Sequence, residues 1–148
     1  MEELLLKPMT EEAFEHYFQD EIRRYTEVLS ENIHEQGEEP SVKALKQLNN
    51  LLPKGIHTLN HSLFNIRLGN KGIGYVWLKI EEEKKSAFLY EIYLLEEFRA
   101  KGYGTNTMKS IEELLQQKDI MYFKLHVFGS NTGARKLYEE LGFEIAPN

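Results

Sequence analysis

The 148-residue chain contains no cysteine. That excludes disulfides, thiolate-ligated metals and any mechanism through an acyl-cysteine intermediate. Basic residues are scarce beside acidic ones, 18 Lys and Arg against 24 Asp and Glu, for a formal net charge of −6. No face gathers Lys and Arg, so the electrostatic footprint of a nucleic-acid binder is missing. No apolar run approaches the roughly 18 residues of a membrane span. The chain opens Met1-Glu2-Glu3, the wrong charge for a secretory leader. These absences predict a cytoplasmic protein with neither a nucleic-acid nor a membrane partner. Repeats, linkers and low-complexity segments are also lacking, which predicts one domain over residues 1–148. A chain of that length buries about two thirds of its unfolded surface around a single core.

Periodicity supplies the elements. Leu4 to Met9 is suited to a first strand. Thr10 is a helix N-cap with Glu11 and Glu12 in the first turn, and Phe14, Phe18, Ile22, Tyr25 and Val28 or Leu29 follow at helical spacing. Glu31 to Pro40 reads as a loop, and a second helix is expected from Ser41 to Leu52 with Leu45, Leu48 and Leu51 on one face, stopped by Pro53. Strands are expected at Ser62–Leu68 and Ile73–Ile80, joined by the hairpin signal Gly69-Asn70-Lys71-Gly72, and at Ala87–Leu94. A helix through Met108, Ile111, Leu114 and Leu115, a strand from Met121 to Phe128 and a last helix closed by Gly142 complete the chain.

The stretch Arg99-Ala100-Lys101-Gly102-Tyr103-Gly104 joins the Ala87–Leu94 strand to the next helix. Two close glycines before a helix N-terminus build an anion cradle, because backbone N–H groups converge there and the helix dipole adds partial positive charge. A dinucleotide fingerprint would need a third glycine where Thr107 stands, and no G-x-x-x-x-G-K-[ST] string occurs. What remains is R-x-x-G-x-G, which resembles the pyrophosphate loop of the GNAT superfamily of acyl-CoA-dependent N-acetyltransferases. Downstream, Asn131-Thr132-Gly133-Ala134-Arg135-Lys136-Leu137-Tyr138-Glu139-Glu140-Leu141-Gly142-Phe143 fills every fixed position of a second GNAT signature, N-x-x-A-x-x-L-Y-x-x-x-G-F.

The resemblance implies an α/β (α+β) fold with a mixed sheet and helices on both faces. The strands ending at Leu94 and beginning at Met121 would run parallel and splay to form a slot for acyl-CoA. It implies acetyl-CoA as cosubstrate, held by Leu94, Arg99, Ala100, Lys101, Gly102, Tyr103, Gly104, Thr105 and Asn131. The chain stops five residues after Phe143, whereas relatives often continue into further strands. The acceptor-side edge of the sheet and a homodimer contact therefore stay open.

The implied reaction moves an acetyl group from a thioester to a primary amine. An ammonium near pKa 10.4 is no nucleophile until a base takes its proton, directly or through water. Two residues compete for that role. His126 stands five positions before Asn131, where some relatives carry a carboxylate, and Glu91 is an ionisable group inside an apolar strand that needs a partner or a polar cavity. Backbone N–H groups around Leu94 would stabilise the oxyanion. Tyr138 matches the family's usual general acid for the departing thiolate, although Ala134, Leu137, Tyr138 and Leu141 also form an i, i+3, i+4, i+7 core stripe. Asn131 reads equally as a helix N-cap.

The resemblance implies a small-molecule or peptide amine as acceptor. Glu31, Glu35, Glu38 and Glu39, with no Lys or Arg from Ser30 to Pro40, read either as a solvated acidic loop or as a wall that suits a cationic acceptor. No metal is expected, since His57 and His61 lack the glutamate of an HExxH pair. A catalytically silent acyl-CoA-binding regulatory module is the alternative function.

Overall fold

The computed structural model describes residues 3–32 and 39–125. In chain order these form β1 (Leu4–Pro8), α1 (Glu11–Asn32), α2 (Pro40–Leu51), β2 (His61–Leu68), β3 (Lys71–Glu81), β4 (Ser86–Leu94), α3 (Tyr103–Gln117) and β5 (Tyr122–Leu125). Single 3-10 turns sit at Gly55–His57, Glu82–Lys84 and Glu96–Phe98. The five strands make one sheet in sequential order. Neighbours from β1 to β4 are antiparallel, and β5 runs parallel to β4. The last expected helix, with its signature, lies outside the described residues.

Local chemistry explains the boundaries. Thr10 caps α1 as expected, its Oγ1 accepting the Ala13 N–H at 3.0 Å. The helix continues to Asn32, so Glu31 is helical rather than part of the expected loop. Pro40 opens α2 at the first-turn position where its missing N–H costs nothing. The buried face of α2 is Ala44 and Leu48, whereas Leu45, expected inside, is 41% exposed. Leu68 pairs with Lys71, so Gly69 and Asn70 alone close the β2–β3 hairpin, with Gly69 at a φ of 61°.

Helices cover both faces. Met108, Ile111 and Leu115 of α3 pack on Ile66, Ile73, Val76, Leu78, Leu89, Ile92 and Leu94. On the other face Tyr17 of α1 and Leu48 and Leu52 at α2 pack with Met9, Leu63, Trp77 and Tyr90.

Trp77, fully buried, donates its indole N–H to His61 Nδ1 at 2.9 Å, which assigns the proton of the neutral ring to Nε2. Burial, helped by the Lys79 charge, lowers the His61 pKa to about 4. An unfolded histidine titrates near 6.5, so between about pH 6.5 and 4 the unfolded chain binds more protons. The contribution of this bond is complete above that window and is lost as pH falls through it. Replacing His61 with Gln keeps an acceptor without a titrating group. The drop in Tm between about pH 7 and pH 4.5 is expected to be smaller in His61→Gln than in the parent, and equal drops would refute the assignment.

Candidate active site

One extra residue in β4 builds the site. The residues of β4 that face α3 run Ala87 and Leu89, then Ile92 and Leu94, so the alternation of two slips by one. Trp77 of β3 pairs with Glu91 while the adjacent Leu78 pairs with Leu89, leaving Tyr90 as the bulged residue. Tyr90 and Glu91 consequently both reach the layer under α1 and α2, where Tyr90 joins the core and Glu91 meets polar partners.

Those partners come from α1. Tyr17, Glu21 and Arg24 recur at i, i+4 and i+7, one face of a helix. The Tyr17 hydroxyl lies 2.5 Å from Glu21 Oε2 and 3.0 Å from Glu91 Oε1. Arg24 places Nη2 at 2.9 Å from Glu21 Oε1, Nη1 at 3.1 Å from Glu91 Oε2 and Nε at 3.0 Å from Asp20 Oδ2. Its guanidinium stacks on Tyr93, 3.7 Å from the ring centroid. Tyr93 lies nearly parallel to Tyr75, which meets Tyr17 edge-on at 5.0 Å.

Electrostatics follow from burial. Glu21 is 1% exposed. Desolvation raises its pKa well above the ordinary carboxylic range, the Glu91 charge adds to the rise, and Arg24 opposes it. Burial and then the charges of Glu21 and Glu91 likewise raise the Tyr17 phenol, which stays protonated. Burial works against the Arg24 charge, but Glu91 and Glu21 outweigh it and hold its proton above the ordinary value.

β4 leads directly to the Arg99–Thr105 loop. After Leu94 and the Glu96–Phe98 turn, left-handed residues Ala100 (φ 58°) and Gly102 (φ 86°) swing the chain into α3. The first intrahelical bond runs from the Asn106 N–H to the Gly102 carbonyl at 3.1 Å. The N–H groups of Tyr103, Gly104 and Thr105 precede it and have no acceptor within the helix. Among the described residues no side chain caps this end, and a Cβ added at Gly102 would meet none of them within 4 Å. A helix terminus of this kind suits an anionic group. The Arg99 Nε donates to the Leu94 carbonyl at 2.9 Å and its guanidinium stands 5.2 Å from the Tyr93 ring, tying the loop to the strand end. Lys101 is exposed.

Among the described residues, β4 pairs with β5 from Ser86 with Tyr122 to Leu89 with Leu125, and β4 runs on to Leu94. Beyond that register the edge of β4 next to Glu91 has no paired strand among the described residues. The structure therefore brings Glu91, Leu94 and the Arg99–Thr105 loop to one end of β4. His126, Asn131 and Tyr138 lie outside the described residues, as do Glu35 and Glu38. Glu39 sits exposed at the start of α2. His57 and His61 go to separate partners, Glu11 and Trp77. Tyr17, Glu21 and Arg24 are not legible as site residues from the apolar periodicity of α1. The signal available was the demand of Glu91 for a cationic or proton-donating neighbour.

The family model described as "Acetyltransferase (GNAT) family" matches residues 9–143. The chain is 32% identical over 144 residues to the uncharacterized N-acetyltransferase YycN of Bacillus subtilis, covering 95% of this chain and 92% of that protein. The crystal structure of YycN superposes with a TM-score of 0.85 at 30% identity, covering 99% of this chain and 95% of that one. Spermidine N-acetyltransferase from Vibrio cholerae, crystallised with CoA and spermine, shares the fold at a TM-score of 0.60 and 22% identity, covering 94% of this chain and 79% of that one. With a mixed sheet between helices, β5 parallel to β4, and an uncapped α3 terminus in line with the end of β4, the chain belongs to the GNAT family of acetyltransferases.

Proposed function

We propose that the protein transfers an acetyl group from acetyl-CoA to a primary amine by direct attack in a ternary complex. The observation that carries this reading is the placement of a carboxylate, Glu91, at the bulge of the strand that ends in the anion loop. A base and a pyrophosphate cradle on one strand end put a thioester and an amine within reach of each other. The backbone of Arg99–Thr105 would hold the pyrophosphate and Asn131 the pantetheine amides. Glu91, bridged to Arg24 and Tyr17, is the general base of this reading, taking the amine proton directly or through water. His126 is the competing base. N–H groups near Leu94 would meet the oxyanion, and Tyr138 would return a proton to the departing thiolate.

The acceptor in this reading is cationic. The bound spermine of the Vibrio enzyme fits the acidic balance of this chain, in which carboxylates raise the local concentration of a cationic amine.

Acetyl-CoA is expected to bind while NAD and ATP bind much more weakly, and free thiol is expected to appear only when an amine is added. Replacing Gly104 with Val puts a branched side chain in the first turn of α3, where phosphate oxygens must approach, and is expected to weaken acetyl-CoA binding. Calorimetry showing unchanged affinity in Gly104→Val would overturn the cradle. Binding without thiol release across a broad amine panel would point to the silent regulatory module.

A further inference from the structure

The contacts between α1 and β4 hold one proton too few for two ionised glutamates. The Tyr17 oxygen lies within hydrogen-bond distance of an oxygen of each, Glu21 Oε2 at 2.5 Å and Glu91 Oε1 at 3.0 Å. A phenol has one hydrogen, so it donates to one of these oxygens and must accept from the other. A carboxylate has nothing to donate. The second contact is satisfied only when one glutamate carries a proton, which completes a chain from one carboxyl through the phenol to the other.

Charge counting agrees with hydrogen counting. Among the described residues, Arg24 is the cation in contact with Glu21 and Glu91, and it also bonds Asp20, which Arg23 takes up at the surface. The other ionisable groups described around the pair are Tyr17 on α1, Tyr75 on β3 and Tyr93 on β4. With both glutamates ionised, one guanidinium faces two negative charges, that of Glu21 buried and that of Glu91 partly buried. With one protonated, the cluster is neutral, the arrangement that burial favours.

We propose that Glu21 and Glu91 form a single proton-accepting unit, bridged by the Tyr17 hydroxyl and held by Arg24, which carries one proton when inactive and none when it is ready to take one from the acceptor amine. The proposal rests on Glu91 as the base. Glu21 is a positioning residue in it, because it acts through Glu91 and does not touch the substrate. A lone carboxylate against a guanidinium is held ionised and is a weak base. A second carboxylate facing it counters the guanidinium and raises the affinity of the unit for its first proton, which makes it a stronger base. In the step itself, an N–H bond of the acceptor ammonium breaks and an O–H bond forms on the doubly ionised pair. The amine lone pair is then free to attack the thioester. The pair passes from two negative charges to one, and solvent later removes its proton.

The test combines kinetics with carbon NMR on protein labelled at the glutamate carboxyl carbons. In the parent protein, two coupled carboxyl resonances are expected to keep titrating well above the range of the other glutamates, over the same pH interval as the acidic limb of kcat/KM. Replacing Glu21 with Gln keeps the shape and a hydrogen-bond donor but removes the second charge. The late-titrating signals should disappear and the acidic limb should move down by about one pH unit or more. If every glutamate in the parent titrates in the ordinary range, or if the limb stays in place in Glu21→Gln, the pair is refuted. The NMR titration of the parent decides this whether or not the variant folds. Failure of the base reading looks different: Glu91→Gln would keep its rate and its limb while the parent still showed the two late carboxyl resonances.

Discussion

Replacing Glu91 with Gln is expected to lower kcat by about 10²- to 10⁴-fold, the size of a lost general base. The amide retains the length of the side chain and can accept from Arg24, so binding of acetyl-CoA and the melting temperature should change little. The measurement that matters is the pH profile. The parent is expected to show an acidic limb in kcat/KM between about pH 5.5 and 8, and Glu91→Gln should lose it. His126→Ala should leave that limb in place. Tyr138→Phe removes the proposed acid and should lower kcat without shifting it. If His126→Ala removes the limb and Glu91→Gln keeps it, the base is the histidine. If both keep it, neither residue titrates as the base.

Gly74→Ala is expected to cost at least about 3 kcal/mol of stability, the upper end of overpacking or beyond. A methyl group at Gly74 would overlap the Tyr93 carbonyl oxygen and stand 3.1 Å from the Leu94 Cα. Both neighbours are backbone, so no side chain can rotate away. β3 and β4 would have to separate where they hold Leu94 and the start of the anion loop, and acetyl-CoA binding should fall with stability. Gly72 is the control, because on the same strand a Cβ there meets nothing within 4 Å. Gly72→Ala should stay within about 0.5 kcal/mol of the parent. Similar denaturation midpoints for the two variants would show that the close approach at Gly74 carries no energetic weight.

Much of this architecture was legible in the residues. The Gly102–Gly104 spacing marked the anion loop because only a few backbone forms turn a strand into an uncapped helix, and left-handed glycine is one of them. Thr10 announced α1, and the Gly69-Asn70 pair announced the β2–β3 hairpin. Glu91 stood out as a charge inside an apolar strand. The apolar phase slip from Leu89 to Ile92 also stood in the sequence, but a period-two reading passes over it as one continuous strand.

Errors arose where three-dimensional context overrides local pattern. Leu45 is as apolar as Leu48, yet α2 turns Ala44 inward instead, and a small side chain there lets α2 lie close against α1. Tyr17 and Glu21, fully buried among the described side chains of α1, fall outside the apolar pattern of Phe14, Phe18 and Ile22.

By itself the sequence determined the family, the order of the described elements and the position of the Gly102–Gly104 turn into α3. Those depend on contacts between residues near in the chain: caps, turns, periodicities and a glycine spacing that fixes backbone form. Only the tertiary structure decided what Glu91 is bonded to, since its partners Tyr17 and Arg24 stand 74 and 67 residues away. A carboxylate becomes base, acid or structural anchor according to the charges and hydrogens within about 4 Å of it. That neighbourhood is set by a bulge in β4, which the phase slip marks, and by the packing of α1 across the sheet, which no local pattern specifies.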